Sequence, residues 1–322
     1  MDYAHLQEYY IILQNDFEVI IHCSEQIKLL QDIPKAKLSA LNIWFKIDTG
    51  MHRLGFLPEE IISAYKDLDN TLGIKNINLM THFACADDAK SLHMQQQLSS
   101  FNEVCNKLEN LRNNKMLKSA ANSGAIMNYP DALHDVVRPG LLLFGVRPVG
   151  RGLSDGLNLS NKSWVKSLKP VMELRARVIA VKNIKKNKGV GYGQRWEAKK
   201  DTKIAVISIG YGDGYYRYAP DGTPVFINGD IAKLVGRVSM DSIMLDITDV
   251  KNTVSVGDEA VLWGEDLPIE QVAKAMDCSV YALLTGVSSR VKRCVANSPC
   301  APNTKVPILN KENSTDVVAR RL

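Results

Sequence analysis

The sequence predicts an α/β fold in its first half, part of a parallel (β/α) barrel, followed by a mostly-β second domain. Three observations point there. Short β-branched apolar runs alternate with helical stretches up to about residue 145, a rhythm that implies right-handed crossovers and parallel strands. Between Gly150 and Lys169 the apolar period gives way to Gly, Ser, Asn and Asp, as in a connecting loop. Beyond it, Val- and Ile-rich runs follow at close spacing with turn residues between them, which fits a small β-barrel or sandwich. The expected division is 1–149 barrel part, 150–168 loop, 169–294 β-domain and 295–322 tail.

Taken in order, Leu6–Asn15 reads as helix and Phe17–His22 as strand; Ser24 then opens a helix through Leu30. Leu41–Ile47 is a strand, too short and too β-branched for a helix. Pro58-Glu59-Glu60 opens a helix, with proline suited to the first turn. Ile77–Thr81 is a third strand ending at His82, and a polar helix spans Asp88–Arg112. A strand from Leu117 closes in Ala121-Asn122-Ser123-Gly124, and the run Val136–Gly145 is the last of this set. That gives five strands, whereas a closed barrel of this type has eight. The open edges expected at Phe17–His22 and Leu141–Phe144 invite association or aggregation. In the second half, VMELRARVIAVKNI, KIAVISIG, PVFING, AKLVGRVSM and SIMLDITD read as strands, and Ile269–Met276 as a short helix. The tail after Cys294 is rich in Pro, Ser and Asn without period and is expected to be disordered.

Composition narrows the function. With 322 residues and 45% hydrophobic content, the chain can bury a large core and form two domains. Ten Lys or Arg between Arg175 and Lys203 face only Glu197 and Asp201. Without interleaved aromatics or a known nucleic-acid module, that surplus reads as a solvated face. Six cysteines without paired metal spacing read as reduced thiols in a cytoplasmic protein, with no metal site. Neither a signal peptide nor an apolar run near the ~20 residues of a membrane span is visible.

The chemistry collects after strand ends, where parallel barrels carry their sites. The Leu41–Ile47 strand stops at Asp48-Thr49-Gly50 and presents His52 and Arg53 just beyond. The stretch KIDTGMHRLGF closely resembles a signature of the alanine racemases, pyridoxal-phosphate enzymes built from a barrel of the TIM type and a C-terminal β-domain. The resemblance runs from about Phe17 to Arg293, with several motifs in order.

It implies the following roles. Arg53 contacts the substrate carboxylate, which a guanidinium fork can grip bidentately. Lys46, seven positions earlier, stands where some members carry a carbamylated lysine that steadies this arginine. His82 in THFA packs near the pyridine ring of the cofactor. Ser123 in AANSG binds its phosphate, with the backbone of Gly140 and Leu141 as further donors. Arg138 faces the pyridine nitrogen, where a fixed positive charge weakens the ring as an electron sink and favours quick reprotonation. In the β half, Tyr192 in GVGYG is the base that takes the α-proton of L-alanine, opposite a lysine on the other face. A phenol is a weak base at neutral pH unless cations stand near it, and His82 and Arg138 are the expected helpers. Met240 and Asp241, in VGRVSMD, line the substrate pocket, and Tyr211 in IGYGDG is an inner-gate tyrosine. These β-domain residues act in trans in a head-to-tail homodimer.

Two departures stand out. No segment matches the family's V-K-A-N-A-Y-G-H-G motif, so the lysine that would form the Schiff base with pyridoxal 5'-phosphate is missing from the expected set. Ser289 precedes Arg290 where some members have a phosphate-contacting tyrosine. The expectation is an N-terminally truncated alanine racemase chain, interconverting L- and D-alanine for peptidoglycan, and inactive by itself. The alternatives are a serine or broad-specificity amino-acid racemase, and a non-catalytic remnant that only dimerises or binds ligand.

Overall fold

A computed structural model describes residues 11–38, 41–72, 76–148, 164, 167–295 and 318–321. They fall into two compact units, one drawn from Met1–Gly140 and Pro148–Lys166, the other from Leu141–Arg147 and Ser167–Leu322.

The first unit is a five-stranded parallel sheet in the order β1 (Val19–Ile21), β2 (Asn42–Lys46), β3 (Asn76–Met80), β4 (Lys118–Asn122), β5 (Val136–Arg138). The register pairs Ile43 with Val19 on one side and with Ile77 on the other. Between the strands run α1 (Ser24–Gln31), α2 (Lys35–Leu38), α3 (Ile61–Leu72) and α4 (Leu92–Arg112). A short helix, α5 (Ser123–Asn128), follows β4 directly. Ile21, Ile43, Phe45, Ile77 and Leu79 are buried with Leu30, Leu68 and Phe101 from the helices, so the strands read as near-continuous apolar runs. Ser91 caps α4 by accepting the Met94 N–H at 3.2 Å, and Asn113 ends it in a left-handed conformation.

The second unit is antiparallel except where Lys292–Val295 and Val318–Arg321 pair in parallel. Its sheet runs β13 (Glu259–Trp263), β10 (Pro224–Ile227), β11 (Asp230–Leu234), β12 (Ile243–Asp246), β9 (Thr202–Ile207), β6 (Met172–Ile184), β15 (Val318–Arg321), β14 (Lys292–Val295). A further pairing of β13 with β6 closes it on itself. Closure protects the edges of the six strands from β13 round to β6, and β15 and β14 extend the sheet beyond them. Leu174, Ile207, Val225, Leu245 and Trp263 fill the interior. A two-stranded ribbon, β7 (Gly189–Val190) with β8 (Trp196–Glu197), stands apart, and α6 (Ile269–Ala275) and α7 (Val280–Gly286) cover part of the core.

Three expectations change. Leu141–Phe144 is a 3-10 turn, not strand; Leu141 and Phe144 pack on the core of the second unit while Leu143 is exposed. The edge of the parallel sheet is therefore Val136–Arg138. The run EAVLW is a strand that the sequence reading passed over. In the tail, Val318–Arg321 pair with β14 and β6 rather than being disordered; residues 296–317 lie outside the described residues, as does the first half of the helix expected at Leu6–Asn15, of which residues 11–14 are helical. Among the described residues no helix is long and apolar enough to cross a membrane, and no group of three His, Cys, Asp or Glu could hold a metal.

Candidate active site

The strands of the first unit are parallel, so their C-terminal ends lie on one side. Lys46, His82, Ser123 and Arg138 stand at or just beyond four of those ends, and Arg53 follows in a loop. That loop is built by Asp48. Its Oδ1 accepts the backbone N–H groups of Gly50, Met51 and His52 at 3.0 Å each, and its Oδ2 that of Arg53 at 3.1 Å. Burial alone would raise the Asp48 carboxyl, but the bonds from His52, Gly50 and Met51 outweigh it and hold its pKa below the usual range. Phe56 and Lys46 close the loop base through an N–H···O bond of 3.0 Å. Sequence reading saw Asp48 only as a turn residue.

Among the described residues Arg138 pairs with no carboxylate. One guanidinium nitrogen donates to Ser119 Oγ and the other to the Thr81 carbonyl, both at 2.5 Å. Burial lowers its pKa from the ordinary arginine value, yet it stays a cation at any physiological pH. His82 feels this. Burial first, then the charges of Arg138, Lys46 and Arg53, push its imidazole down to about 4. Thus His82 is neutral at pH 7, and of the two expected cationic helpers of Tyr192 it brings no charge. Ser123 is buried, and its Oγ accepts the Gly140 N–H at 2.8 Å, which brings two expected phosphate donors together. Leu141, the third, opens the 3-10 turn of the second unit.

In the second unit Tyr192 is 70% exposed on a turn between Gly191 (φ 74°) and Gly193 (φ 67°). Both glycines sit where other residues would be strained. Tyr192, Tyr211, Arg217, Tyr218, Arg237 and Met240 line one cavity of about 600 Å³. The Arg217 guanidinium carbon lies 4.9 Å from the Tyr211 ring centroid. Tyr211 and Gly212 donate their N–H groups to the Ser239 and Met240 carbonyls at 3.1 and 2.8 Å, which ties the Tyr211 loop to the Met240 loop. Asp241 is exposed and paired with Arg290 at 2.6 Å; the same guanidinium reaches buried Asp213 at 3.5 Å. Asp213 in turn accepts the Gly210 N–H at 2.9 Å. Sequence reading assigned nothing to Arg217, Arg237 or Asp213; two arginines within the quoted motifs and their flanks were the available signal.

Comparison with known proteins bears on both units. The family profile described as "Alanine racemase, N-terminal domain" matches residues 1–148, and "Alanine racemase, C-terminal domain" matches residues 171–295. The chain is 43% identical to an alanine racemase of Coxiella burnetii over 85% of its own length and 72% of that protein. It is 40% identical to one of Shewanella sediminis over 88% of its length and 75% of that protein. The crystal structure of the biosynthetic alanine racemase of Pseudomonas aeruginosa superimposes with a TM-score of 0.78 at 36% identity, covering 90% of this chain and 76% of that one. An alanine racemase structure from Bartonella henselae, with covalently bound pyridoxal phosphate, gives 0.76 at 29% identity, covering 91% and 77%.

Proposed function

The chain belongs to the alanine racemase family, and from that premise we propose which of its side chains serve the interconversion of L- and D-alanine. Pyridoxal phosphate is the family's cofactor, and D-alanine feeds peptidoglycan. The observation that carries the assignment is the gathering of Arg53, His82, Ser123 and Arg138 at one end of a parallel sheet. The residues present fit the cofactor's ring and phosphate. Arg138 is a desolvated cation held by neutral oxygens, and Ser123 Oγ is positioned by accepting the Gly140 N–H.

When bound, the cofactor supplies an electron sink for the carbanion formed at the α-carbon. The chain does the rest. Arg53 grips the carboxylate and so orients the α-hydrogen. Lys46 stands where it can steady Arg53. Arg138 would face the ring nitrogen, and its fixed positive charge would disfavour protonation there. Neutral His82 offers a hydrogen bond without adding a second cation. Tyr192 takes or gives the proton on the L-side, and the Arg237 guanidinium lies beside the neighbouring Gly193. Met240, Asp241 and Tyr211 bound the pocket and exclude larger side chains.

Two finer points belong to the same proposal. Tyr192, Tyr211, Met240 and Asp241 serve the barrel site of a second copy in a head-to-tail homodimer; their exposure supports this, because each needs a cover to exclude water. Free thiols at all five described cysteines fit a reducing cytoplasm. The D-side amine is expected from residues other than those assigned here, since none of the 322 matches the family's lysine motif.

The test is an absorbance scan of the purified chain with added pyridoxal phosphate, followed by borohydride reduction and peptide mapping. We expect reversible binding, abolished by Arg138→Ala, without a lysine-linked band near ~420 nm. A labelled lysine together with racemase activity would overturn the missing-amine part of the reading. Binding unaffected by Arg138→Ala would overturn the ring and phosphate assignment.

A further inference from the structure

We propose that Thr81 is the positioning residue of the barrel site: its side chain fixes the loop that presents Arg53, while its carbonyl fixes the guanidinium of Arg138. The inference rests on the reading of Arg53 and Arg138 given above and names the part that sets their spacing.

Thr81 is fully buried immediately after β3. Its hydroxyl donates to the Ile47 carbonyl at 2.9 Å and lies 2.8 Å from Thr49 Oγ1. A threonine hydroxyl has one proton. With that proton on Ile47, the Thr49 hydroxyl must donate to Thr81. Thr49 in turn lies 3.4 Å from Gln97 Nε2, a second fully buried polar side chain. The bonds therefore run in one direction, from the Gln97 amide to Thr49, to Thr81, to the Ile47 carbonyl, and each polarises the next. Gln97 also accepts the Ala84 N–H at 3.0 Å and reaches the His82 carbonyl at 3.4 Å, so it ties the segment after β3 to the Asp48 loop. From α4, His93 adds a bond of 3.1 Å to the Gly50 carbonyl.

The other face of Thr81 completes the link. Its N–H donates to the Ser119 carbonyl at 3.1 Å and its carbonyl receives Arg138 at 2.5 Å, while Ser119 Oγ takes the other guanidinium nitrogen. One residue thus touches, through main chain or side chain, both elements that carry the cations. The hydroxyls, the Gln97 amide and the carbonyls carry no formal charge, so they hold Arg53 and Arg138 without neutralising either. A carboxylate in the same place would fix geometry equally well but quench the field. Asp48 holds its loop by backbone N–H groups only and makes no bond to the Arg53 guanidinium.

The test uses the full chain. The His82 imidazole, assigned by the signal lost in His82→Gln, is titrated by NMR, and binding of propionate is measured alongside. Propionate carries alanine's carboxylate and methyl group without the amine, so it needs no chemistry on a cofactor. Thr81→Val keeps the shape and removes the hydroxyl. The Arg53 loop is then released, and the His82 midpoint is expected to rise by about one pH unit as its surroundings hydrate. Propionate affinity should fall about tenfold, the size of one hydrogen bond. Thr81→Ser, which restores the hydroxyl, should return both towards wild type. Should Thr81→Val not fold, Thr49→Val breaks the same chain one link earlier and is read the same way. The proposal is overturned if the folded variant leaves the His82 midpoint in place, or if Thr81→Ser fails to restore it. Arg53→Lys separates the two claims: propionate binding that ignores that change sinks the carboxylate assignment, and the His82 titration then decides for Thr81 alone.

Discussion

The two units hold their candidate site residues by opposite means. In the parallel sheet the supporting groups are buried: Thr81 and Gln97 are fully inaccessible and Asp48 nearly so. In the β unit the corresponding side chains face outward, with Tyr192 at 70%, Met240 at 51% and Tyr211 at 38% exposure. The first site is fixed by hydrogen bonds among buried polar groups; the second by glycine turns and main-chain bonds that leave side chains exposed. A fixed site suits the cofactor and carboxylate, whose positions must not drift. An outward-facing set suits groups that work only once covered, and it ties their stability little to their chemistry.

The contrast predicts where substitutions will hurt the fold. The largest effect is expected at Asp48. Asp48→Ala strands four backbone N–H groups that the carboxylate now accepts. A loss of about 4 kcal/mol is expected in urea unfolding, since a buried donor without a partner costs ~1–3 kcal/mol and the turn can recover some through water. The same bonds hold the folded carboxyl below its unfolded value. Their stabilisation is thus present above pH ~3.9 and lost as pH falls through the lower folded value. A loss under ~1 kcal/mol would mean that the loop is not built on this carboxylate, and the contrast between the units would weaken.

Asp48 also marks where the sequence stops being legible. The alternation of β2, β3 and β4 with helices shows in the apolar runs because each strand is buried on both faces. The partners of Asp48 are main-chain atoms, which have no residue identity, so the motif displays a turn but not its purpose. Gln97 did leave a trace. It lies on the same stripe of α4 as Met94, Phe101, Val104 and Leu108, and an amide on an apolar stripe must find buried partners. Leu141–Phe144 misleads for another reason. Four apolar residues after Pro139-Gly140 look like a buried strand, but they cap the other unit's core instead. Glu259–Trp263 was missed because its identity as a strand comes from pairing with β6 and β10, far away in sequence. The catalytic candidates became legible through resemblance, not period; exposed Tyr192 and Met240 have no packing signal to betray them.

A second, smaller effect concerns acid stability. The unfolded imidazole of His82 protonates near ~6.5, whereas the folded one waits until about 4 because of burial and the charges of Arg138, Lys46 and Arg53. Between those values the unfolded state binds the extra proton. His82 therefore contributes stability that is present above pH ~6.5 and disappears as pH falls towards the folded value. After discounting for partial solvent access, about 2 kcal/mol should be lost across that window. In His82→Gln the slope of stability against pH should flatten there by that amount. An unchanged slope would show that the barrel site is wetter than its hydrogen bonds suggest, and that the two units differ less than claimed.

The smallest effect on folding is the most telling for function. Tyr192→Phe removes one hydroxyl from a side chain that is mostly in solvent, so unfolding free energy should move by less than ~0.5 kcal/mol. In an assembly competent for racemisation, the same change should selectively suppress proton exchange at the α-carbon of L-alanine, read by deuterium uptake from D₂O, and spare exchange from D-alanine. A two-base site requires that asymmetry, because only one face has lost its acid–base group. Equal suppression from both enantiomers would place both proton transfers on one side and remove Tyr192 from the role. A stability loss above ~1 kcal/mol would say instead that the phenol is part of the fold. The β unit would then be holding its site by packing after all, as the barrel unit does.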